Sequence, residues 1–158
     1  DYVQENLYKN NSLEDILYVK DEFPAGNSIH LQFKHLFSLL TLYLDRDLQT
    51  NLQKIEITCP AVSSIIPKSA EIVPADNETH TTTIAQVSPS GNYSFIVPPV
   101  KNMVIAINMV TNGKKYTTQL ETKSFTGNKE YTYHLKTSEK NSGNYDCRRF
   151  DCIQSTYQ

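Results

Sequence analysis

Short apolar runs with a period of two recur between residues 28 and 135, and turn sequences separate them. Such alternation is typical of half-buried β-strands, because successive side chains of a strand point to opposite faces. The sequence Thr111-Asn112-Gly113-Lys114 between two of these runs is a strong hairpin signal. Turns spaced about every eight to twelve residues indicate a sandwich. We therefore predict an all-β fold, an antiparallel β-sandwich of about seven or eight strands.

The clearest alternation places Ile29, Leu31 and Phe33 on one face of a predicted strand and brings His35 onto the same apolar face. Two interpretations of His35 follow. It is either a metal or proton-transfer residue, or a histidine at the edge of the core that bonds a backbone carbonyl. The second is the more common situation. His30 falls on the opposite face, so the two histidines are not expected to bind a metal together.

The leucine-rich run at residues 36–44 continues the alternation with its phase shifted by one residue. Such a slip predicts a bulge or bend near residues 37–38. A helix over this run is the competing interpretation. We prefer a strand, because Asp45-Arg46-Asp47 ends the run without a capping pattern.

The remaining chain predicts further strands and three regions. Pro67 and Pro74 break residues 61–79, which indicates loop and short edge pieces. Residues 1–27 are interpreted as an N-terminal arm or the remnant of a preceding domain, residues 28–137 as the β-sandwich domain, and residues 138–158 as a polar C-terminal tail without a strand. The other predicted strands cover residues 54–59, 81–87, 93–97, 103–110, 115–121 and 131–135.

Charge and motifs exclude several classes of function. The 158 residues carry 15 basic and 17 acidic side chains, a net charge of −2, which argues against a nucleic-acid-binding protein. No apolar run approaches the roughly 18 residues of a membrane-spanning helix. Neither a phosphate-binding glycine loop nor a hydrolase or zinc-protease motif is present. We therefore predict a protein that is not an enzyme, with no cofactor.

The three cysteines fall into two groups. Cys59 follows Ile55 and Ile57 on the same face of a predicted strand, which indicates a buried free thiol. Cys147 and Cys152 lie close together in the polar tail, where a local disulfide is plausible in an oxidising compartment and a free pair is the alternative. The histidines lack the spacing of a zinc site around them, so we predict no metal.

Tyrosine is frequent, with 10 residues against no tryptophan. A flat platform of tyrosines would suit sugar binding, but it needs several of them on one outer face. Tyr93, Tyr116, Tyr131 and Tyr133 are spread over different predicted strands, so core and core-edge positions are the preferred interpretation.

Three segments, in this order and spacing, carry a resemblance to a known family: Leu13-Glu14-Asp15-Ile16-Leu17-Tyr18, Ile29-His30-Leu31-Gln32-Phe33-Lys34-His35, and Phe125-Thr126-Gly127-Asn128-Lys129-Glu130-Tyr131-Thr132-Tyr133-His134-Leu135. Over residues 13–137 the chain resembles the fimbrillin family of Bacteroidetes, which comprises the subunits of type V pili and related surface lipoproteins.

The resemblance implies two transthyretin-like β-sandwich domains, of which this chain supplies mainly the second. It implies an exported protein of the cell surface or outer membrane that contacts a membrane only through a lipid anchor outside this sequence. It also implies assembly by donor-strand exchange, in which a strand of one subunit fills a groove of the next.

These features together predict a non-enzymatic structural or adhesion protein, a fimbrillin-like pilus component whose partners are other pilus or surface subunits that dock on exposed sheet edges. The polar tail lacks the apolar alternation of a donor strand, which favours a tip or accessory subunit over a shaft subunit. A host or bacterial surface ligand is a further expected partner. The alternative is a surface carbohydrate-binding β-sandwich module.

Overall fold

The computed structural model describes residues 2–22, 24–26, 28–86, 88–138 and 149–157, with backbone alone for residues 121–124, 137–138 and 149–157. Among these residues no helix has the length and apolar character needed to span a bilayer. In chain order the elements are β1 Tyr8–Lys9, β2 Ser12–Leu13, β3 Leu17–Tyr18, β4 Lys34–His35, β5 Ser38–Leu44, α1 Arg46–Gln49, β6 Leu52–Ile66, β7 Glu71–Ile84, β8 Asn92–Val97, β9 Lys101–Thr111, β10 Lys114–Ser124, β11 Glu130–Ser138 and β12 Arg149–Tyr157.

The main sheet has eight strands in the order β7-β6-β9-β10-β12-β11-β5-β8. Strands from both halves of this order contribute side chains to one buried cluster, so the sheet folds over a single core. This confirms the predicted all-β sandwich. Most pairings are antiparallel, but β10 with β12 and β11 with β5 are parallel.

β5 is a strand, as predicted in preference to a helix. Leu40 and Leu42 are fully buried in the core, whereas Tyr43 on the opposite face is half-buried. The strand pairs with β11 on one side and β8 on the other, which satisfies its backbone in both directions.

The predicted hairpin joins β9 and β10 with Thr111 opposite Lys114. Its two central residues, Asn112 and Gly113, have φ angles of 49° and 73°. Positive φ at both positions is the requirement of a type I′ turn, and Asn-Gly is the pair that meets it at least steric cost.

β6 and β7 are longer than predicted. β6 continues through Pro60 to Ile66, and the ladder with β7 shifts register between Pro60 and Val62. A proline fits at such an irregularity because no ladder hydrogen bond is required of it. Pro74 lies within β7, the outer strand of the sheet, where a missing N–H group is tolerated. The prediction of loop and short edge pieces over residues 61–79 is therefore wrong in length, because two long strands cover most of this range, although β7 does lie at the edge of the sheet.

The predicted strand over Ile29, Leu31 and Phe33 is also wrong. Only Lys34 and His35 form β4, a two-residue strand opposite β3. Residues 28–33 form neither a helix nor a strand.

Residues 138–158 were predicted to contain no strand, but β12 forms within them and pairs with β11 over nine residues. Backbone pairing needs no apolar alternation, so the sequence pattern contains no signal for β12. Cys147 and the side chain of Cys152 lie outside the described residues, so their disulfide stays a prediction. The domain limits of residues 28–137 likewise stay a prediction.

The N-terminal arm covers the side of the sandwich where β7 and β8, the two outer strands of the sheet, come together. Leu7 and Leu13 of the arm form a second buried cluster with Phe37, Val62 and Ile65. Half-buried residues of β7 and β8 pack against the same cluster. The arm is held by paired backbone hydrogen bonds between Gln4 and Ile65, of 2.9 and 3.0 Å.

Candidate functional site

Three large apolar side chains project from the segment before β4. Ile29, Leu31 and Phe33 are 56%, 51% and 55% exposed, and we call them the apolar ridge. Single exposed apolar residues are normal on a protein surface, but an alternating series of three is a marker of an interaction site.

The polar residues of the same segment are exposed as well. Gln32 and Lys34 line a depression together with Tyr18 and Lys20 of the arm. Among the described residues, no backbone hydrogen bond joins residues 28–33 to another segment.

A pocket of about 320 Å³ begins where the ridge segment ends. We call it the His35 pocket. Its floor consists of Phe37, Leu39 and Ile96, on the outer side of β5 and β8. Polar side chains from three separate parts of the chain form its rim.

His35 lies on this rim and is not part of the core. Its Nδ1 atom is 2.8 Å from Oδ1 of Asp15 in the arm, and its side chain is 54% exposed. Its backbone N–H donates to Oδ1 of Asn128 at 2.9 Å. The predicted position on the apolar face and the predicted carbonyl partner are therefore both wrong. The cause is the missing strand, since β4 does not continue the alternation of the ridge.

The turn before β11 fixes the opposite side of the rim. The N–H group of Asn128 donates to the carbonyl of Phe37 at 3.1 Å, and Asn128 has a φ of 61°, which asparagine tolerates better than most residues. A Cβ atom on Gly127 would lie 2.5 Å from the backbone oxygen of Leu36, so only glycine permits this approach. The turn thereby positions Lys129 and Glu130 at the pocket.

Glu130 is held in turn by β5. Its Oε1 atom accepts a hydrogen bond of 2.8 Å from Oγ1 of Thr41. The rim therefore combines carboxylates, an amide, an imidazole and an ammonium group above an apolar floor.

The other residues singled out from the sequence lie elsewhere. The four tyrosines considered for sugar binding are buried, which confirms their core interpretation. Tyr93 and Tyr131 accept hydrogen bonds from the backbone N–H groups of Ser88 and Thr126. His134 is exposed and stacks on Tyr43, with ring centroids 5.1 Å apart.

Cys59 is a buried free thiol, as predicted. Burial raises its pKa to about 11 from the ordinary value of 9.0. Tyr8 packs nearby, and burial also raises its pKa, although the hydrogen bond between its hydroxyl group and the Val62 backbone acts in the opposite direction. In the described part of the chain, no group of three His, Cys, Asp or Glu residues is arranged to hold a metal ion.

No local motif in the sequence assigns Asp15, Asn128 or Glu130 to a site. The signal available for them was their place in the segments that carry the family resemblance. Their convergence depends on contacts 20 and 93 residues apart, which no local pattern contains.

Comparison with known proteins shows the same architecture in larger chains. A candidate cell adhesion protein from Bacteroides ovatus aligns with a TM-score of 0.52 at 14% identity, over 80% of this chain and 46% of that one. A second, from Bacteroides uniformis, aligns with a TM-score of 0.53 at 10% identity, over 82% and 54%. At these identities the likeness is one of fold, and this chain spans about half the length of either protein.

No curated protein matches the sequence. A family model described as fimbrillin-like matches residues 3–148, nearly the whole chain. The chain belongs to the fimbrillin-like family.

Proposed function

We propose that this chain is a non-enzymatic structural or adhesion protein of the bacterial cell surface, a fimbrillin-like pilus component of the tip or accessory type. Family membership supports the general role. The apolar ridge is the observation that carries the proposal, because it presents an extended, alternating apolar segment to a partner. Its partner is another pilus or surface subunit.

The ridge has the properties of a docking strand. Its backbone lacks ladder partners among the described residues, and each of its three apolar side chains is more than half exposed. In β-augmentation, main-chain hydrogen bonds supply affinity and alternate side chains fill pockets. Covering the exposed half of each ridge side chain would contribute roughly 1 kcal/mol per residue.

The sheet edges are poorer docking surfaces than the ridge. β7, at one end of the sheet order, carries Glu71, Pro74, Asp76 and Glu78. Charges and proline on an outer strand oppose edge-to-edge pairing. β8, at the other end, has β2 of the arm beside it.

The position of β12 supports an accessory role over a shaft role. β12, the last strand that the structure describes, pairs within its own sheet, between β10 and β11. A strand used internally is not available to a neighbouring subunit in the same conformation.

The test is an unboiled SDS gel of surface material from cells that express the wild-type protein, Leu31→Glu or Val104→Glu. Val104 is the matched control, since it is 47% exposed but lies on β9, away from the ridge. We expect one heat-labile complex of defined mass for the wild type and the control, and its loss for Leu31→Glu.

A regular ladder of heat-labile bands would contradict the accessory role and indicate a shaft subunit. A monomer alone in the wild type, or equal loss in both variants, would contradict docking through the ridge.

A further inference from the structure

We propose that the His35 pocket binds a neutral sugar unit. No comparison assigns a ligand to this pocket, and the inference does not depend on assembly through the ridge. The pocket differs from the tyrosine platform considered from the sequence, because those tyrosines are buried and none of them forms its floor.

The apolar floor matches the C–H groups of a sugar ring, and the polar rim matches its hydroxyl groups. Leu39 and Ile96 face each other across β5 and β8 and are both half-buried, so they offer an apolar surface to the C–H groups of a ring. The rim places polar groups around that surface, where ring hydroxyl groups would lie. Pockets of this kind fix a ligand's orientation with a few polar groups over an apolar lining.

The charges of the rim oppose a strongly charged ligand. Asp15 and Glu130 would repel an anion, while Lys129 would repel a cation. His35 is already paired with Asp15. A ligand with many hydroxyl groups and no net charge meets donors and acceptors without a repulsive partner.

Each polar group at the rim keeps hydrogen-bonding capacity beyond its contacts within the protein. The contacts within the protein use Oδ1 of Asp15, Oδ1 of Asn128 and Oε1 of Glu130. Their second polar atoms and the Lys129 ammonium group have no hydrogen-bond partner among the described residues. Two carboxylate oxygens can accept from hydroxyl groups, while the amide and the ammonium group can donate to them.

Four of the rim residues, Asp15, His35, Asn128 and Glu130, already have hydrogen-bond partners within the protein. Three bonds hold them: Asp15 to His35, His35 to Asn128, and Glu130 to Thr41. Side chains already ordered lose little entropy on binding, which favours affinity for a small ligand. The volume of about 320 Å³ lies at the small end of ligand pockets, so one or two sugar rings fit better than a long glycan.

The experiment is an NMR titration of the 15N-labelled protein with glucose, galactose, mannose and N-acetylglucosamine, alongside glucuronic acid and glucosamine as charged probes. We expect at least one neutral sugar to bind in the millimolar range and to shift backbone resonances of residues 35–39 and 126–130. The charged probes are expected to bind more weakly.

Two variants test the site. Asn128→Asp removes the amide donor but keeps the acceptor for the His35 N–H group, and Glu130→Gln keeps the acceptor for Thr41. Each is expected to weaken sugar binding about fivefold to tenfold. Asn102→Asp is the matched control, because Asn102 is exposed, has a similar positive φ of 54° and lies on β9.

Binding that the control weakens as much as Asn128→Asp would overturn the proposal. Shifts outside the pocket, equal binding of the charged probes, or no binding of any neutral sugar would overturn it as well. None of these results would bear on the heat-labile complex, so failure of the sugar site and failure of the docking function are distinguishable.

Discussion

The apolar ridge and β5 follow each other in the chain and carry the same alternation of apolar residues, yet they end in opposite environments. Leu40 and Leu42 of β5 have no exposed surface, whereas every ridge side chain is more than half exposed. β5 has a ladder partner on each side. The ridge has none among the described residues. Alternation thus decides which side chains share a face, but a neighbouring strand decides whether that face is buried.

The largest effect is expected at Leu42. Leu42→Ala leaves a cavity in a fully buried position, which should lower the free energy of unfolding by about 2–5 kcal/mol. Urea denaturation followed by circular dichroism measures it. A loss below about 0.5 kcal/mol would show that β5 does not close the core.

The buried thiol of Cys59 tests the core side of this comparison. Cys59 has a raised pKa of about 11, against 9.0 for an ordinary thiol. Between these values the unfolded chain releases its proton while the folded chain keeps it, so stability is full below pH 9 and falls as the pH rises to 11. The loss is roughly 1.4 kcal/mol per unit of pKa difference.

Denaturation at several alkaline pH values, compared with Cys59→Ala, isolates this contribution. We expect the wild type to lose more stability than the variant over this range. Identical pH profiles would contradict a sealed core at Cys59.

Gly127 tests the junction between the ridge segment and β5. Gly127→Ala places a Cβ atom against the Leu36 carbonyl oxygen, which is backbone and cannot rotate away. We expect a loss of about 1–3 kcal/mol in the free energy of unfolding. Gly113→Ala is the companion variant. Its Cβ would meet no atom within 4 Å, so it measures only the cost of a positive φ at a residue other than glycine. Unchanged stability of Gly127→Ala would show that the turn at Gly127 does not lie this close to the Leu36 carbonyl oxygen.

The smallest effect on stability is expected at the ridge. Leu31→Ala should change the free energy of unfolding of the isolated protein by no more than about 0.5 kcal/mol, because the side chain is already half in water. The same urea titration as for Leu42→Ala measures it. A loss of 2 kcal/mol or more, on the order of a core truncation, would show that Leu31 is buried within the chain.

The sequence predicted those elements that depend on local pattern. The strand at Ser38–Leu44, the Asn112-Gly113 turn and the burial of Cys59 all follow from alternation or turn chemistry. The sequence pattern failed where strand formation depends on a partner from a distant part of the chain. The ridge has the strongest alternation but no ladder partner among the described residues, and β12 pairs through its backbone without such a pattern.

The site was predicted only in part. The sequence singled out His35, but on the wrong face, because its orientation follows from the short β4 and from Asp15. Asn128 reaches His35 across 93 residues of chain. Contacts of that range arise from sheet topology, which a period-two pattern does not specify.

We propose that the apolar ridge docks on another surface subunit. The most direct test of this docking places a photo-crosslinking amino acid at position 31, and in a separate strain at position 104, in the protein expressed on its native cells. We expect a light-dependent crosslink to another subunit from position 31 and none from position 104. No crosslink from position 31, or equal crosslinking from both positions, would contradict docking through the ridge.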